Sequence, residues 1–488
     1  MPNTALRLLI LLVSVPASLA HADDILSAED AIADITLARA ALEQIHPGYE
    51  RYTPREKLDA YWAELASRAA DGIDRGELYL HLSEILAAIR CDHTKAELPS
   101  DLEERRKSEP VYLPFSFRLF DGRMYVDRVA KGLDLDRGDE ITAIDNRPVG
   151  RWITAVEKYI PVDGETDHVK PNEIESSTEF MGPALEHFAP YLYDIYEQAS
   201  LQVATADGKE EVMLVDRVGY TEYEAIIGQK RYSRNFVDSV RYKALGRDGA
   251  YLAVDTFVNY REPVDAMAHL APYFEKLKRQ GRDKLILDLR QNGGGSDDAQ
   301  TALLRHIITE PLLQAEAKLT RYRSLDPAIK PRLSTWQQEA LDPDPEWFED
   351  AGDGFYRIVA AEAGAPAGPV EPAEHAFDGQ LVLLTSSSNA SGLTHLIANL
   401  ETAGRATFVG EKTGGAPTGA TAGIIFFLEL PASGIKVRVP AQRTVIANAG
   451  SLPDRDGIEP DVAAPETAES WLEGRDPALE AAKRYLDL

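Results

Sequence analysis

The hydrophobic and polar positions divide the chain into segments with different periods. From Asp23 to about Leu98, apolar residues recur at helical spacing, which predicts three helices. Between about residues 110 and 200, short runs around turn-forming pairs such as Asp121-Gly122 predict β-hairpins. From residue 249 onward, apolar runs of strand length alternate with amphipathic helices. This alternation predicts a parallel sheet with crossover connections, so the overall class is α/β.

One stretch interrupts this alternation. Residues 310–378 are rich in Pro, Gly, Ala and acidic residues, which predicts an inserted lid or a partly flexible excursion. The regular pattern resumes at residues 381–415 with an apolar run, a group of small polar residues and an amphipathic run from Ser391 to about Thr402. This order predicts a buried strand followed directly by a helix.

Ser391 lies where that strand turns into the helix, and a serine at such a place has two uses. Its hydroxyl can cap the helix, which is the commoner case. It can also be a nucleophile held among backbone N–H groups that stabilise an oxyanion. The local sequence leaves both uses open.

Length and charge limit the classes of protein to be considered. A chain of 488 residues is too long for a single core, so about two to four domains are expected. The net charge of −28 argues against nucleic acid and anionic membranes as partners. Charge says nothing about the chemistry.

The N-terminus has the features of a secretory signal peptide. Arg7 precedes an apolar stretch from Leu8 to Leu19, and Ala20-His21-Ala22 gives a small-x-small cleavage pattern. We expect residues 1–22 to be removed by cleavage after Ala22 and the protein to be periplasmic or secreted. No later segment approaches the roughly 20 apolar residues of a membrane span, so no membrane insertion is expected after cleavage.

Two further features of the sequence bear on ligand binding. Cys91 is the sole cysteine, so we expect neither an internal disulfide nor a cysteine-based metal site to be possible. The Gly-rich turn at residues 293–295 lacks the spacing and the Lys-Ser/Thr of a phosphate loop. The sequence therefore implies no metal and no cofactor.

Four stretches taken together resemble peptidase family S41, the C-terminal processing and tricorn-type proteases. They are IRCDHT around His93, LDLRQNGGG at 287–295, the block from residue 384 to 415 that contains Ser391, and DGIEPDV at 456–462. Residues 132–149 also resemble the PDZ pattern. The resemblance implies a helical bundle at 23–99, a PDZ-like β module at 100–200 and a ClpP/crotonase-like α/β protease core at 201–488.

The S41 resemblance also implies a mechanism. One branch of the family uses a Ser/Lys dyad, but at the matching place this chain has Gly414-Gly415-Ala416-Pro417. Lys412, the nearest lysine, is interpreted as a solvated side chain. The other branch uses a serine, a histidine and an acidic residue, which correspond here to Ser391, His93 and Asp454. Asp456 is close enough along the chain to compete with Asp454 for the acidic role.

The same resemblance suggests where an oxyanion would bind. Backbone N–H groups of Gly293 or Gly294 and of Gly392 are the expected donors, because glycine permits close approach. Thr394 stands where the family often has glutamate. His395, one helical turn after Ser391, is interpreted as a structural histidine rather than the base.

These observations predict a periplasmic or secreted serine endopeptidase that acts on polypeptides. Two alternatives remain open. One is a relative that keeps the fold and binds peptides without turnover, and the other is an esterase or acyl hydrolase on the same residues. Cleavage specificity and oligomeric state do not follow from the sequence.

Overall fold

The structure is a computed structural model that describes residues 24–205, 208–228 and 235–488. The predicted signal peptide at residues 1–22 lies outside the described residues.

The N-terminal part contains the helices that the periodicity predicted. Ser27 caps the first helix by accepting from the Asp30 N–H, and Asp74 caps the third. Thr53 also has the sequence signature of a cap, but its hydroxyl donates to the carbonyl of Ala88, which ties the second helix to the end of the third. The elements are β1 (Ile25–Leu26), α1 (Ala28–Ile45), α2 (Arg55–Arg68), β2 (Ile73–Asp74), α3 (Arg75–Ala88), β3 (Ala96–Glu97) and α4 (Ser100–Arg106).

An antiparallel sheet follows, with the strand order β4-β5-β6-β8-β9 and with β7 paired to β6. Asp121 and Gly122 both have positive φ at the predicted hairpin turn. The segment between α5 and α6 carries Asp163 toward the site described below. The elements are β4 (Phe115–Phe120), β5 (Arg123–Val129), β6 (Glu140–Ile144), β7 (Arg147–Pro148), α5 (Val149–Val156), α6 (Lys170–Glu175), α7 (Ala184–Leu192), β8 (Gln198–Ala204), β9 (Glu210–Asp216) and α8 (Tyr220–Ile227).

The predicted parallel sheet has the order β10-β11-β12-β17-β18-β21, and all its pairs are parallel except β10 with β11. Asp288 at the end of β12 pairs with Leu384 near the end of β17, so the turns that follow both strands open at the same edge of the sheet. The elements are β10 (Val240–Leu245), β11 (Gly249–Val254), α9 (Ala266–Arg279), β12 (Lys284–Asp288), α10 (Asp297–Ile307), β17 (Gln380–Thr385), α11 (Ser391–Thr402), β18 (Thr407–Gly410) and β21 (Val462–Ala463).

Residues 310–378 differ from the expectation of a lid or flexible excursion. They supply strands to a second, seven-stranded sheet of order β14-β19-β20-β13-β16-β15, with β3 paired to β20. Their short strands are separated by Pro- and Gly-rich turns, which hide the strand pattern in the sequence. The elements are β13 (Ala315–Thr320), β14 (Leu333–Ser334), β15 (Phe348–Gly352), β16 (Phe355–Ile358), β19 (Thr421–Glu429) and β20 (Lys436–Ile446).

Buried apolar side chains form separate clusters. One joins the N-terminal helices, the β4–β9 sheet and strands β19 and β20. A second fills the space between the parallel sheet and helices α9, α10 and α11. A third lies beneath the C-terminal helix α13 (Pro477–Tyr485), which follows α12 (Ala468–Glu473). Within the described residues, none of the helices combines the length and hydropathy of a membrane span.

Candidate active site

Ser391 is the first residue of α11, immediately after the turn that leaves strand β17. The residue in the capping position is Ala390, and no side chain caps this helix. Ser391 has a φ of 53°, which is rare for a residue with a side chain and costs about 1 kcal/mol or more. A strained residue on a tight strand-to-helix turn presents its hydroxyl outward. Ser391 therefore does not cap the helix, and its hydroxyl is available for chemistry.

His93 lies against this hydroxyl although it is far away in sequence. Its Nε2 is 3.0 Å from Ser391 Oγ, across a separation of 298 residues. The turn that carries His93 follows helix α3 and is held by Thr94, whose N–H donates to Cys91 and whose hydroxyl bonds the ring of buried His46. The serine and the histidine are thus within proton-transfer distance of each other.

The buried acid beside His93 is Asp163, which the sequence analysis missed. A carboxylate oxygen of Asp163, a ring nitrogen of His93 and Cys91 Sγ all lie within 4.8 Å of one another. Asp163 Oδ1 accepts the Asp92 N–H at 2.9 Å, which ties the carboxylate to the histidine turn. His93 Nδ1 and Asp163 Oδ2 are both buried, and neither has a hydrogen-bond partner among the described residues. The ring nitrogen that faces away from serine and the free carboxylate oxygen are therefore the two atoms left to interact.

Burial has a direct electrostatic consequence at Asp163. The residue is 4% exposed, and loss of solvent raises the pKa of its carboxyl, while the neighbouring His93 lowers it. A positive charge on the imidazole therefore stabilises the carboxylate, and the carboxylate in turn stabilises a protonated His93. No motif singled out Asp163, which stands in the segment Val162-Asp163-Gly164 after a short apolar run.

The structure does not bring Asp454 to His93, which corrects the sequence-based assignment. The Asp454 side chain is 72% exposed; its Oδ1 accepts from Thr418 at 3.1 Å and lies 3.7 Å from Arg51. Asp456, the alternative, forms an ion pair with Lys412. The C-terminal segment thus uses its carboxylates to bind neighbouring loops.

The glycine turn after β12 lies directly beneath Ser391. Gly294 has a φ of 106°, and a Cβ placed on it would lie 2.8 Å from Ser391 Cβ, so only glycine fits there. Its N–H donates to Asn292 Oδ1 at 2.8 Å, so this predicted oxyanion donor is already engaged. Gly293 is exposed, and its N–H has no acceptor in the part of the chain that the structure describes. Gly392 is in the first turn of α11, where amides have no acceptor within the helix.

Two buried asparagines, Asn292 and Asn389, hold these turns together, and the sequence analysis did not select them. Asn389 donates to the carbonyls of Leu289 and Asn292, and its own carbonyl accepts the N–H groups of Gly414 and Gly415. The spacing of Asn389 from Ser391 gave no signal of this role. The bonds of Asn292 and Asn389 together fix the turn that carries Ser391 to the glycine turn.

Residues 414–417 stand where the Ser/Lys branch of the family carries its lysine, and two of these positions have no space for a side chain. A Cβ on Gly414 would lie 2.2 Å from the Ser387 carbonyl oxygen, and one on Gly415 would lie 2.1 Å from Thr394 Oγ1. Lys412 is held by Asp456 and, at 3.3 Å, by Glu459. The geometry therefore favours histidine over lysine as the base for Ser391.

His395 has a structural environment. Its Nε2 accepts the N–H of Ala420 at 3.2 Å, and burial lowers the pKa of this histidine to about 4. A partly buried, neutral imidazole bonded to the backbone is a packing residue, as the sequence analysis expected.

The geometry places a serine–histidine pair at one edge of a parallel sheet. Residues 248–464 match the family model of peptidase family S41, which identifies this region as that of a serine peptidase. The prediction from the motifs is thereby confirmed for the family, for the enzyme class and for the mixed α/β fold.

Solved structures show the same fold. The crystal structure of mature CPAF has a TM-score of 0.62 at 14% identity, covering 94% of this chain and 96% of that chain. The structure of mature CPAF complexed with lactacystin has a TM-score of 0.62 at 15% identity, covering 94% and 97%. A search of the curated proteins finds no match to this sequence.

Proposed function

We propose that this protein is a periplasmic or secreted endopeptidase that cleaves polypeptides through an acyl-enzyme on Ser391. The observation that carries the proposal is the 3.0 Å contact between Ser391 Oγ and His93 Nε2. A serine hydroxyl is a weak nucleophile near neutral pH unless an adjacent base takes its proton, and an imidazole at this distance does so.

The first half of the reaction forms the acyl-enzyme. Ser391 Oγ attacks the peptide carbonyl carbon as its proton passes to His93 Nε2. The resulting oxyanion accepts hydrogen bonds from the amides of Gly293 and Gly392. The C–N bond then breaks, and His93 returns the proton to the leaving amine. In the second half, water attacks the acyl group with His93 again acting as base.

Asp163 has the positioning role that the sequence assigned to Asp454. A carboxylate behind the ring keeps the proton on Nδ1, which leaves Nε2 free to accept from serine, and it stabilises the imidazolium that forms. The support for this role is the burial of Asp163 and its bond to the Asp92 N–H beside His93.

The β4–β9 sheet is proposed to present polypeptide substrates as a PDZ-like module. Support comes from the sequence pattern between residues 132 and 149, which runs through strands β6 and β7 of this sheet. PDZ modules bind an extended peptide as an added strand. The proposed destination outside the cytoplasm is supported by the signal-peptide pattern of residues 1–22.

The test is active-site labelling combined with substrate comparison. A fluorophosphonate probe should label the wild-type protein and fail to label Ser391→Ala, whereas Ser388→Ala, a neighbouring serine variant, should still be labelled. Denatured protein should be hydrolysed in preference to short-chain esters. Absence of labelling in the wild type would favour a peptide-binding relative without turnover, and preference for esters would favour an acyl hydrolase.

A further inference from the structure

A second chemistry is available on the far side of His93 from the serine. Cys91 Sγ, a ring nitrogen of His93 and a carboxylate oxygen of Asp163 lie within 4.8 Å of one another. The only cysteine of the chain thus lies near His93, which is two residues later in the same turn, and near Asp163, which folding brings in from another segment.

Several polar atoms in this cluster have no hydrogen-bond partner among the described residues. Asp163 is 4% exposed, and its Oδ2 has no hydrogen-bond partner among the described residues. The same holds within those residues for His93 Nδ1 and for the buried hydroxyl of Tyr52. The Cys91 thiol donates a long hydrogen bond of 3.5 Å to the Thr421 carbonyl. Tyr52, Cys91 and Asp163 line one small pocket, so these three side chains share a common space.

The donor set selects the kind of ligand. A thiolate, an imidazole and a carboxylate are typical Zn²⁺ ligands, and three protein ligands leave a fourth position for water. With bonds of about 2.0–2.3 Å, tetrahedral ligand atoms are separated by about 3.5 Å. Ligand atoms within 4.8 Å therefore need to move by only about an ångström or less to surround the ion.

We propose that Cys91, His93 and Asp163 form an inhibitory zinc site behind the catalytic histidine. Zn²⁺ would displace the thiol proton to solvent, and the proton on Nδ1 of the neutral ring would move to Nε2, so that Nδ1 can bind the ion. An imidazole bound to a metal through Nδ1 carries its remaining proton on Nε2. That nitrogen then donates to Ser391 Oγ and cannot accept the serine proton, so acylation stops.

This inference rests on the proposed function for its inhibitory effect but not for zinc binding itself. The experiment therefore measures both. Metal-free protein is titrated with Zn²⁺ and the bound metal is counted; Co²⁺ is then used as a spectroscopic substitute that shows a thiolate-to-cobalt absorption band. In parallel, the rate of fluorophosphonate labelling is followed with added Zn²⁺ and after removal of zinc by a chelator.

We expect about one zinc ion per chain and reversible loss of labelling. Cys91→Ala should label at the wild-type rate without zinc, should lose the cobalt–thiolate band and should need at least about tenfold more zinc for inhibition. Cys91→Ser, which keeps the size of the side chain, serves as a second variant if Cys91→Ala unfolds. Ser391→Ala should bind zinc like the wild type although it cannot be labelled.

Each outcome separates the two proposals. Zinc binding that depends on Cys91 in a protein that never labels would support the metal site and overturn the proposed peptidase mechanism. Normal labelling with no stoichiometric zinc, or zinc affinity unchanged in both Cys91 variants, would overturn the metal site alone.

Discussion

The two sides of the candidate active site are built in different ways. Ser391 and the glycine turn lie at one edge of a parallel sheet, after neighbouring strands β12 and β17 that pair in register. The helix that Ser391 begins buries Leu393, Leu396 and Ile397 in the cluster beneath that sheet. The serine side is therefore fixed by contacts within one continuous fold.

The histidine side depends on docking. Cys91 belongs to the other large cluster, which joins the N-terminal helices, the β4–β9 sheet and strands β19 and β20. Asp163 reaches His93 from the segment that follows helix α5, and Arg90 ties the two segments by bonding the Gly164 carbonyl. The distance between the serine and the histidine thus reports how these two regions are packed against each other.

The largest expected effect on activity comes from the acidic residue of the histidine side, Asp163. Asp163→Asn should lower kcat/KM for a polypeptide substrate by about 10³–10⁴-fold, because the neutral amide no longer fixes the tautomer of His93 or stabilises its charge. Asp454→Asn is the matched control and should change kcat/KM less than about threefold, since its side chain is 72% exposed and bonded to Thr418. The reverse ranking of the two variants would return the acidic role to the C-terminal segment.

The next effect tests the serine side with two adjacent glycines. Gly294→Ala should reduce kcat by about 10²-fold or more, since its Cβ would lie 2.8 Å from Ser391 Cβ and displace the nucleophile. Gly293→Ala should retain most of the activity, because its Cβ would meet only the Ser388 carbonyl oxygen at 3.7 Å. Steady-state kinetics on both purified variants measures kcat. Equal losses of kcat in the two variants would show that the close approach of Gly294 to Ser391 does not position the nucleophile.

A smaller loss of activity is expected when the bond between Arg90 and the loop of Asp163 is removed. Arg90→Met keeps the aliphatic stem but removes the bonds to Gly164 and Asp167, so the loop that carries Asp163 is less well held. We expect kcat/KM to fall by about tenfold. Arg68→Met removes an exposed pair with Glu64 on α2 and should leave the kinetics unchanged. No loss in Arg90→Met would argue against docking as the determinant of the geometry.

The smallest effect is on stability and is confined to the histidine side. Burial raises the pKa of Glu186, on α7, to about 8, against an ordinary value of 4.5. Because this pKa is raised in the folded state, the stability contributed by the protonated carboxyl is complete below about pH 4.5 and is lost as the pH rises through about 8. Glu186→Gln, which imitates the protonated form, should match the wild type near pH 5 and melt a few degrees higher, about 3 °C or more, above pH 8.

Thermal unfolding at both pH values measures this difference, with the exposed Glu346→Gln as control. The labelling rate of Ser391 should be the same in all three proteins. A variant that is less stable than the wild type above pH 8 would show that the ionised carboxylate is the stabilising form.

The same contrast explains what the sequence could predict. Ser391, the glycine turn and the strands around them are encoded by local patterns of apolar runs and glycines, and the structure has a strand, a turn and a helix there. His93 was found only through its resemblance to a family segment. Asp163 gave no local signal, since its role arises from burial and from a hydrogen bond to a turn 71 residues earlier in the chain.

Residues 310–378 illustrate a second limit. Their strands are only two to six residues long and pair with partners such as β20, far away in the chain, so composition alone suggested an excursion. Short strands with non-local partners have little periodicity of their own. The strand order of this seven-stranded sheet therefore follows from the structure and not from the sequence.

The central claim is that His93 activates Ser391, and the rate at which a fluorophosphonate phosphonylates Ser391 tests it most directly. Mass spectrometry of the labelled protein should locate the adduct on Ser391, and His93→Ala should slow its formation by about 10³-fold or more at neutral pH. An adduct that forms on Ser391 equally fast in His93→Ala, or that maps to another serine, would contradict the account.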